Sequence, residues 1–306
     1  MINILLVGGT GVIGKSLLKI LHNSKKYNIY VTTRRRHFIN EKGLTFLCGN
    51  SLDESFISNV VTSYKFSVII DFMVYSTSFF EKLVAKFLNN CDHYIFLSSY
   101  RVYSNTGKQI ITENSLRLID DKSVDKKYRQ SEEYAIKKSK QENILFSHKC
   151  KNWTILRPSI TYGKNRVQLF CFEAPLFLGR LQNKLPIIIP DNLENINTTL
   201  TDSDFSAKYI YKLINNPLSF GQVFNICSDF VLSWDKLFEF YTKEFKVKFI
   251  KVSPKIFSTL YINQYQVNYD RMVNRQLSNN KLKATVGTIF VNEDFFEKLK
   301  SCINMS

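Results

Sequence analysis

The stretch Val7-Gly-Gly-Thr-Gly-Val-Ile-Gly-Lys-Ser16 decides the fold of this 306-residue chain. It joins an apolar segment, Ile2–Val7, to an amphipathic one, Val12–Asn23, which are a predicted strand and a predicted helix. Glycines at this spacing permit a tight turn and a close approach of the backbone to a pyrophosphate, which the N–H groups at a helix start can bind. We therefore predict a dinucleotide site at this turn, formed by Gly8, Thr10, Gly11, Val12, Ile13 and Gly14.

The same stretch also fits the phosphate loop of nucleoside triphosphatases. Residues 9–16 match the pattern GxxxxGK[ST], in which Lys15 and Ser16 would contact phosphate and Mg²⁺. Asp71, at the end of an apolar run, could then be the acidic residue that holds the metal. On these two motifs alone the dinucleotide site and the phosphate loop are about equally supported, and the residues downstream decide between them.

Strand and helix patterns alternate through the first 160 residues. The further strands are short apolar runs, as expected for parallel strands covered on both faces: Ile29–Thr33, Leu44–Cys48, Val68–Phe72, Tyr94–Leu97 and Trp153–Leu156. The helices between them are Glu54–Ser63 (opening with a capping box at Ser51–Glu54), Phe79–Asn89 and Tyr128–Ser147. This alternation predicts an α/β fold, a Rossmann doubly wound parallel sheet with right-handed crossovers.

The pattern changes after Pro158, and residues 159–200 are irregular. A predicted helix, Asp202–Asn215, and a predicted strand, Gln222–Ile226, would then return to the main sheet. We therefore expect residues 1–160 to form the cofactor-binding domain, completed by residues 200–228. Residues 161–199 and 229–306 would form a smaller C-terminal substrate-binding lobe.

The composition, 44% hydrophobic and 22% charged, is that of a soluble globular protein. No run approaches the roughly 18 apolar residues of a membrane helix, and the apolar start at Ile2 lacks the basic region of a signal peptide. We therefore expect a cytoplasmic protein without membrane contact. Six scattered cysteines without CxxC spacing predict reduced thiols and no metal site. The formal charge of +16 is spread over many lysines, which favours a solvated surface over a nucleic-acid partner.

A basic triplet follows the second predicted strand. A site for NAD would place an acidic residue about 20 positions beyond the glycine turn, to bind the ribose 2′-hydroxyl. Here the strand Ile29–Thr33 ends instead in Arg34-Arg35-Arg36. Guanidinium groups can pair bidentately with the 2′-phosphate of NADP, although a solvated basic loop is the alternative. We favour NADP(H) over NAD(H), with Arg34 and Arg35 as ligands of that phosphate.

Three further residues predict an acid–base site. Ser99 follows the strand Tyr94–Leu97, and Tyr134 and Lys138 are one helical turn apart. An unperturbed tyrosine, with a pKa of about 10, is a poor acid or base at neutral pH. A neighbouring ammonium group and a cationic nicotinamide ring would both stabilise the phenolate and lower that pKa. Ser99 would hydrogen-bond the carbonyl or alkoxide oxygen of a substrate.

Several motifs occur in order along the chain: Gly8–Gly14, Ser98–Tyr103, Tyr134–Glu142, Leu156–Pro158 with Tyr162-Gly163, Asp204–Ala207 and Asn279–Leu282. In these the chain resembles the extended and atypical short-chain dehydrogenase/reductases, which include the NAD(P)-dependent epimerase/dehydratase-like enzymes of nucleotide sugars. The resemblance covers nearly the whole chain and disfavours the phosphate loop. It implies that Tyr134 is the acid/base, that Lys138 binds the nicotinamide ribose and lowers the pKa of Tyr134, and that Ser99 polarises the substrate.

The resemblance also implies the rest of the site. The smaller lobe would hold a nucleoside diphosphate sugar, and the helix that follows Tyr128 would pair across a homodimer. Further cofactor contacts are expected from Asn50, Ser51, Phe72 and Met73. Substrate contacts are expected from Tyr100, Arg101, Ile187 (in the stretch Leu185–Ile189, against the base), and Arg271 or Arg275 at the diphosphate.

The residues after Ser99 bear on the reaction. Dehydratases of this kind carry an acidic pair there, and Tyr100-Arg101 takes its place, so dehydration is disfavoured. We predict NADP(H)-dependent reduction of a keto group, at C4, on a nucleotide-activated sugar. Two alternatives stay open. The first is epimerisation at C4 by the same groups, and the second is RNA binding by an atypical member of the fold, which the positive charge would suit.

Overall fold

Seven parallel strands form the central sheet of the protein, whose computed structural model describes residues 2–35, 40–104, 107, 110–164, 166–261, 263–289 and 294–303. The described residues form thirteen strands in all, of which seven belong to the central sheet. They are β1 (Ile2–Val7), β2 (Tyr27–Thr33), β3 (Leu44–Cys48), β4 (Phe66–Asp71), β5 (Cys91–Leu97), β6 (Trp153–Pro158), β7 (Ile160–Tyr162), β8 (Ile187–Pro190), β9 (Asn197–Thr198), β10 (Leu200–Asp202), β11 (Gln222–Ile226), β12 (Leu232–Ser233) and β13 (Phe249–Val252). The order in the central sheet is β11-β6-β5-β4-β1-β2-β3. This order confirms the predicted Rossmann fold, and it reverses between β1 and β4.

Helices cover both faces of this sheet and build much of the smaller lobe. They are α1 (Val12–Ser24), α2 (Glu54–Ser63), α3 (Thr77–Asn89), α4 (Lys126–Gln130), α5 (Tyr134–Ser147), α6 (Ala174–Gln182), α7 (Ser203–Leu213), α8 (Trp234–Phe245), α9 (Pro254–Leu260), α10 (Gln264–Gln266), α11 (Asn280–Val286) and α12 (Phe295–Ser301). A 3₁₀ turn at Tyr100–Val102 and a π-helical turn at Val267–Arg271 border the site described below. Within the described ranges, no helix is long and apolar enough to cross a membrane.

Successive residues of a central strand enter different cores, because side chains alternate across a sheet. In β1, Ile4 and Leu6 belong to a core shared with α1 and α7. Leu5 and Val7 belong to the opposite core, which α2, α3 and α5 complete. All four side chains are fully buried. A strand buried on both faces must be apolar throughout, and this is why these strands could be located in the sequence.

A third core lies in the smaller lobe. It is formed by α6, α8, α9, α12 and three two-stranded sheets, β10-β7, β12-β9 and β13-β8. The structure differs from the predicted boundary at α11, because Leu282 is fully buried in the core that α7 and β11 share. The chain therefore leaves the lobe at α11 and rejoins it at α12, where Leu299 is buried in the lobe core.

The helix predicted over Tyr128–Ser147 is two helices, α4 and α5, separated by residues 131–133. Glu133 has extended backbone and its carboxylate accepts a hydrogen bond from the Ala135 N–H at 2.8 Å, so it caps α5. The continuous helix is therefore a wrong prediction. Tyr134 becomes the first residue of α5, at the end that faces the central sheet's carboxyl edge.

The capping box predicted at Ser51 is also wrong. The Asp53 carboxylate caps α2 instead, accepting from the N–H groups of Ser55 and Phe56 at 2.9 and 3.2 Å. Ser51 is buried, and its hydroxyl donates to the Thr32 hydroxyl at 2.8 Å. Thr32 in turn accepts from the Gly8 N–H at 2.8 Å. Ser51 thus stabilises the glycine turn through Thr32, which binds the Gly8 N–H.

Candidate active site

A cleft of about 730 Å³ lies at the carboxyl ends of the central strands, against the smaller lobe. It is at the point where the order of the sheet reverses, which is where folds of this topology bind ligands. On the predicted cofactor side it is lined by Gly8, Gly11, Val12, Ile13, Gly14 and Phe72. On the predicted catalytic and substrate side it is lined by Ser99, Tyr100, Arg101, Tyr134, Lys138 and Arg271.

The glycine turn has the geometry that the sequence predicts. Gly8 has a φ of 70°, a left-handed conformation that favours glycine. A Cβ atom on Gly14 would lie 2.3 Å from the Gly9 carbonyl oxygen, so glycine lets α1 pack on the turn. Among the residues that the structure describes, no side chain caps α1, whereas Asp53 caps α2 and Glu133 caps α5. The first N–H groups of α1 therefore have no side-chain acceptor and can bind a phosphate.

Two residues that the phosphate-loop interpretation needs, Ser16 and Asp71, are engaged elsewhere. The Ser16 hydroxyl donates to the Ser203 hydroxyl at 3.1 Å. Asp71 is fully buried, and its carboxylate accepts from the hydroxyls of Tyr94 and Tyr75 at 2.7 and 3.2 Å. No group of metal-ligating side chains is found in the part of the chain that the structure describes. These contacts support a dinucleotide site over a phosphate loop.

The other predicted cofactor residues lie around the turn. Met73 packs over Gly8, because a Cβ atom on Gly8 would be 2.5 Å from the Met73 sulfur. Arg34 and Arg35 are exposed and follow the end of β2, while Arg36 lies outside the described residues. Asn50, after β3, is also exposed. None of these predicted residues that the structure describes lines the cleft, nor do Ser51 and Thr10.

Ser99, Tyr134 and Lys138 are brought together in the cleft, as predicted. Ser99 follows β5, and its hydroxyl oxygen accepts from the Arg101 N–H at 3.2 Å, which starts the 3₁₀ turn. The Ser99 hydroxyl also lowers the pKa of Tyr134, against the effect of burial. Lys138 follows Tyr134 by one turn of α5. The end of β5 and the start of α5 therefore bring these three side chains into one cleft.

Lys138 is almost fully buried and held by the main chain. Its ammonium group donates to the carbonyl oxygens of Met73 and Leu97, both at 2.8 Å. Burial lowers the pKa of Lys138 to about 8, against the opposing effect of the Asp71 carboxylate. Burial raises the pKa of Asp71 itself to about 6.

The ionisation of Tyr134 differs from the expectation. Burial raises its pKa, and the largest opposing influence is the guanidinium of Arg101, followed by the hydrogen bond with Ser99. The resemblance assigned the lowering of this pKa to Lys138. In the structure the ammonium of Lys138 donates to two carbonyl groups, and the Arg101 guanidinium carbon lies 5.1 Å from the centre of the Tyr134 ring.

A buried cluster of charges forms the substrate side of the cleft. Arg271 donates to the Tyr100 hydroxyl at 2.6 Å and to the Asp270 carboxylate at 2.5 Å. Arg101 pairs with Glu133 at 2.7 Å and with Asp270 at 3.5 Å. The cluster thus connects the start of α5 to the π-helical turn of the lobe.

Two predicted substrate residues do not reach the cleft. Ile187 is fully buried in β8, inside the core of the lobe. Arg275 is 1% exposed and donates to the carbonyl oxygens of Ser104 and Tyr103, both at 3.1 Å. Neither side chain lines the cleft, and Arg275 instead fixes the chain that follows the 3₁₀ turn.

Other residues of the cleft were missed in the sequence. The lobe contributes Arg166, Gln168, Tyr261, Asn263 and Gln266. They lie in irregular segments or in a one-turn helix, where no apolar periodicity marks a face, so the sequence carries no signal for them.

Behind the cleft, Glu142 is buried in a network of charges. Its carboxylate accepts from the Ser98 hydroxyl at 2.6 Å and from Arg157 at 2.9 and 2.7 Å. Arg117 contacts the same carboxylate at 3.2 Å. Because Ser98 follows β5, Glu142 lies within α5 and Arg157 lies near the end of β6, the network fixes Ser99 relative to the helix that begins at Tyr134.

The fold and the grouped Ser99, Tyr134 and Lys138 define a protein of the short-chain dehydrogenase/reductase type. A model of the NAD dependent epimerase/dehydratase family matches residues 4–227. The chain belongs to this family. A comparison with curated proteins finds no match.

Solved structures share the fold over the whole chain. Pal from Bacillus thuringiensis is 18% identical with a TM-score of 0.77, and 99% of each chain is covered. A dTDP-glucose 4,6-dehydratase from Bacillus anthracis, in complex with NAD, is 16% identical with a TM-score of 0.72 over 100% of this chain and 96% of that one. A UDP-glucose 4-epimerase from Thermotoga maritima, with UDP-glucose, is 16% identical with a TM-score of 0.71 over 99% and 97%.

Proposed function

We propose that the protein catalyses NADP(H)-dependent reduction of a keto group, at C4, on a sugar linked to a nucleoside diphosphate. The observation that carries this proposal is the meeting of Ser99, Tyr134 and Lys138 in one cleft with the uncapped start of α1. A reduced nicotinamide, when bound, supplies the hydride for the carbonyl carbon. The chain supplies the orientation of the substrate and the proton.

The residues present fit a dinucleotide cofactor. A Cβ atom built on Gly11 has no heavy atom within 4 Å, so the turn leaves open space for a pyrophosphate beside the free N–H groups of α1. Arg34 and Arg35 are exposed beyond β2, which is the strand next to β1 in the sheet. Their charge would suit the 2′-phosphate of NADP.

Tyr134 is the proposed proton donor. Because burial raises its pKa, the phenol is protonated at neutral pH and can give its proton to the carbonyl oxygen as the alcohol forms. Ser99, which lines the same cleft, would hold the same oxygen. Transfer of a proton from the phenol to the substrate is the direction that a reduction requires.

The residues beside Ser99 support reduction over dehydration. Burial raises the pKa of the Tyr100 hydroxyl, which stays protonated, and Arg101 is a cation held by two carboxylates. Neither can remove a proton next to a ketone at neutral pH. Two structural neighbours are named for enzymes of dTDP-glucose and UDP-glucose, which supports a nucleotide sugar as the substrate class.

Epimerisation at C4 is the second candidate, because the family match includes epimerases by name. An epimerase would oxidise the carbinol and reduce the ketone again with the same groups, so Tyr134 would first accept and then return a proton. Its cofactor would be regenerated in each turnover, whereas a reductase consumes one NADPH for each product.

The function is tested by incubating the protein with NADPH and a panel of nucleotide 4-keto sugars. We expect loss of the reduced-nicotinamide absorbance with at least one of them, in proportion to the alcohol formed. Interconversion of C4 epimers without net consumption of NADPH would identify an epimerase instead. If the protein binds the cofactor and does neither reaction, the proposed function is wrong.

The choice of cofactor gives a separate prediction. The double substitution Arg34→Gln/Arg35→Gln should weaken NADPH binding by about 10- to 100-fold, because charge-assisted hydrogen bonds contribute about 1.5–3 kcal/mol. Binding of NADH, which lacks the 2′-phosphate, should change little. Quenching of protein fluorescence measures both affinities. Lys19→Gln/Lys82→Gln is the matched control, since it removes the same charge from two exposed lysines. Equal effects on NADPH and NADH would contradict the assignment.

A further inference from the structure

The position of Arg101 sets it apart from the other cations of the cleft. Its guanidinium carbon lies 5.1 Å from the centre of the Tyr134 ring, and both side chains line the cleft. The Arg101 N–H also donates to the hydroxyl of Ser99, which lines the same cleft as Tyr134.

Arg101 is also held firmly. Its side chain is 11% exposed, and it pairs with Glu133 at 2.7 Å and Asp270 at 3.5 Å. These two carboxylates raise the pKa of Arg101, so its charge persists at every working pH. Glu133 is itself fixed, because it caps α5 and accepts from the Tyr128 hydroxyl at 3.0 Å. The guanidinium therefore has a defined place beside the ring.

We propose that Arg101 is a positioning residue that acts through Tyr134, supplying the positive charge that stabilises its phenolate. The inference rests on the proposed role of Tyr134 as the acid/base. A cation beside an aromatic ring attracts a negatively charged phenolate more strongly than a neutral phenol. When the O–H bond of Tyr134 breaks and the proton passes to the carbonyl oxygen, the charge that remains on Tyr134 faces Arg101.

The surroundings of Lys138 support this division of roles. Its ammonium donates to the carbonyl oxygens of Met73 and Leu97 and lies 4.3 Å from the centre of the Phe96 ring. Asp71 and Glu142 are the anions that act on it. Lys138 is thus anchored by two main-chain oxygens, and the cations that act on the pKa of Tyr134 are Arg101 and Arg166.

Three further groups influence the pKa of Tyr134. Ser99 and the half-exposed Arg166 oppose the effect of burial, as Arg101 does, whereas the Glu133 carboxylate adds to it. Two substitutions therefore have opposite expected signs. Removing the charge of Arg101 should make Tyr134 harder to ionise, and removing the charge of Glu133 should make it easier.

The test places a fluorinated tyrosine, 3,5-difluorotyrosine, at position 134 of the full chain, because its phenol ionises near neutral pH. Its ionisation midpoint is read by ¹⁹F NMR without cofactor or substrate, so the result does not depend on the proposed function. Arg101→Gln should raise the midpoint by about one pH unit or more. Arg101→Lys, which keeps a charge, should restore part of that shift, and Glu133→Gln should lower the midpoint.

Arg166→Gln is the matched control, since it removes a cleft arginine whose side chain is 49% exposed and more strongly screened. It should shift the midpoint less than Arg101→Gln does. The inference is overturned if Arg101→Gln leaves the midpoint unchanged, or if Arg101→Lys shifts it as far as Arg101→Gln. Should Arg101→Gln fail to fold, an unchanged midpoint in Glu133→Gln would overturn it as well.

Discussion

Replacing Glu142 with leucine should lower the free energy of unfolding by about 3–5 kcal/mol, the usual effect of breaking a buried ion pair. Arg157 is 2% exposed and would keep its charge without the two contacts to that carboxylate, at 2.9 and 2.7 Å. The Ser98 hydroxyl would lose its acceptor too. Urea unfolding followed by circular dichroism measures the change.

Two controls separate this effect from simple loss of a charge. Glu54→Ala breaks an exposed pair, with Lys86 at 3.2 Å, and should cost less than about 1 kcal/mol. The double substitution Glu142→Leu/Arg157→Met should recover much of the stability, because it leaves no unpaired buried charge. If Glu142→Leu costs no more than Glu54→Ala, the buried network does not hold β5, α5 and β6 together.

Replacing Tyr134 with phenylalanine should reduce the rate of ketone reduction by about 10²- to 10⁴-fold, the range for loss of a general acid. The ring and its contact with Arg101 would remain, while the proton donor would be lost. NADPH affinity should stay within a few fold. Single-turnover oxidation of bound NADPH, with the nucleotide 4-keto sugar identified in the panel, measures the rate.

Tyr128→Phe is the control for this substitution. It also removes one hydroxyl near the start of α5, where Tyr128 donates to Glu133 at 3.0 Å, but Tyr128 does not line the cleft. Its ring stacks on Tyr265 at a centroid distance of 4.2 Å, and this contact would remain. The control should keep most of the rate. A Tyr134→Phe variant as fast as Tyr128→Phe would exclude Tyr134 as the acid.

Much of the fold could be predicted because buried parallel strands are apolar along their whole length. The limits of β1, β3 and β11, and those of α2, are the ones predicted from the sequence. The ordered motifs also predicted the meeting of Ser99 with Tyr134, since parallel strands and the helices that follow them place such motifs at one edge of the sheet.

The errors have a different origin, in contacts between residues far apart in the chain. Nothing near Arg275 in the sequence shows that it donates to the carbonyl oxygens of Ser104 and Tyr103. The break before α5 depends on Glu133, whose carboxylate is fixed jointly by Arg101 and the Ala135 N–H. Residues 159–200 carry no regular periodicity, so the sequence could not show which of them line the cleft.

The path of the chain between the lobe and the main domain restricts how the two can move relative to each other. After β10 the chain returns to the main sheet through α7 and β11, and after the lobe's π-helical turn it returns once more through α11 before α12. The lobe is therefore not an independent segment of the chain. Transfer of residues 229–306 to another protein would separate α11 from the core of the main domain in which it packs. A wide hinge would have to bend all these connections together, so we expect any movement of the lobe to be a small shear rather than a hinge opening.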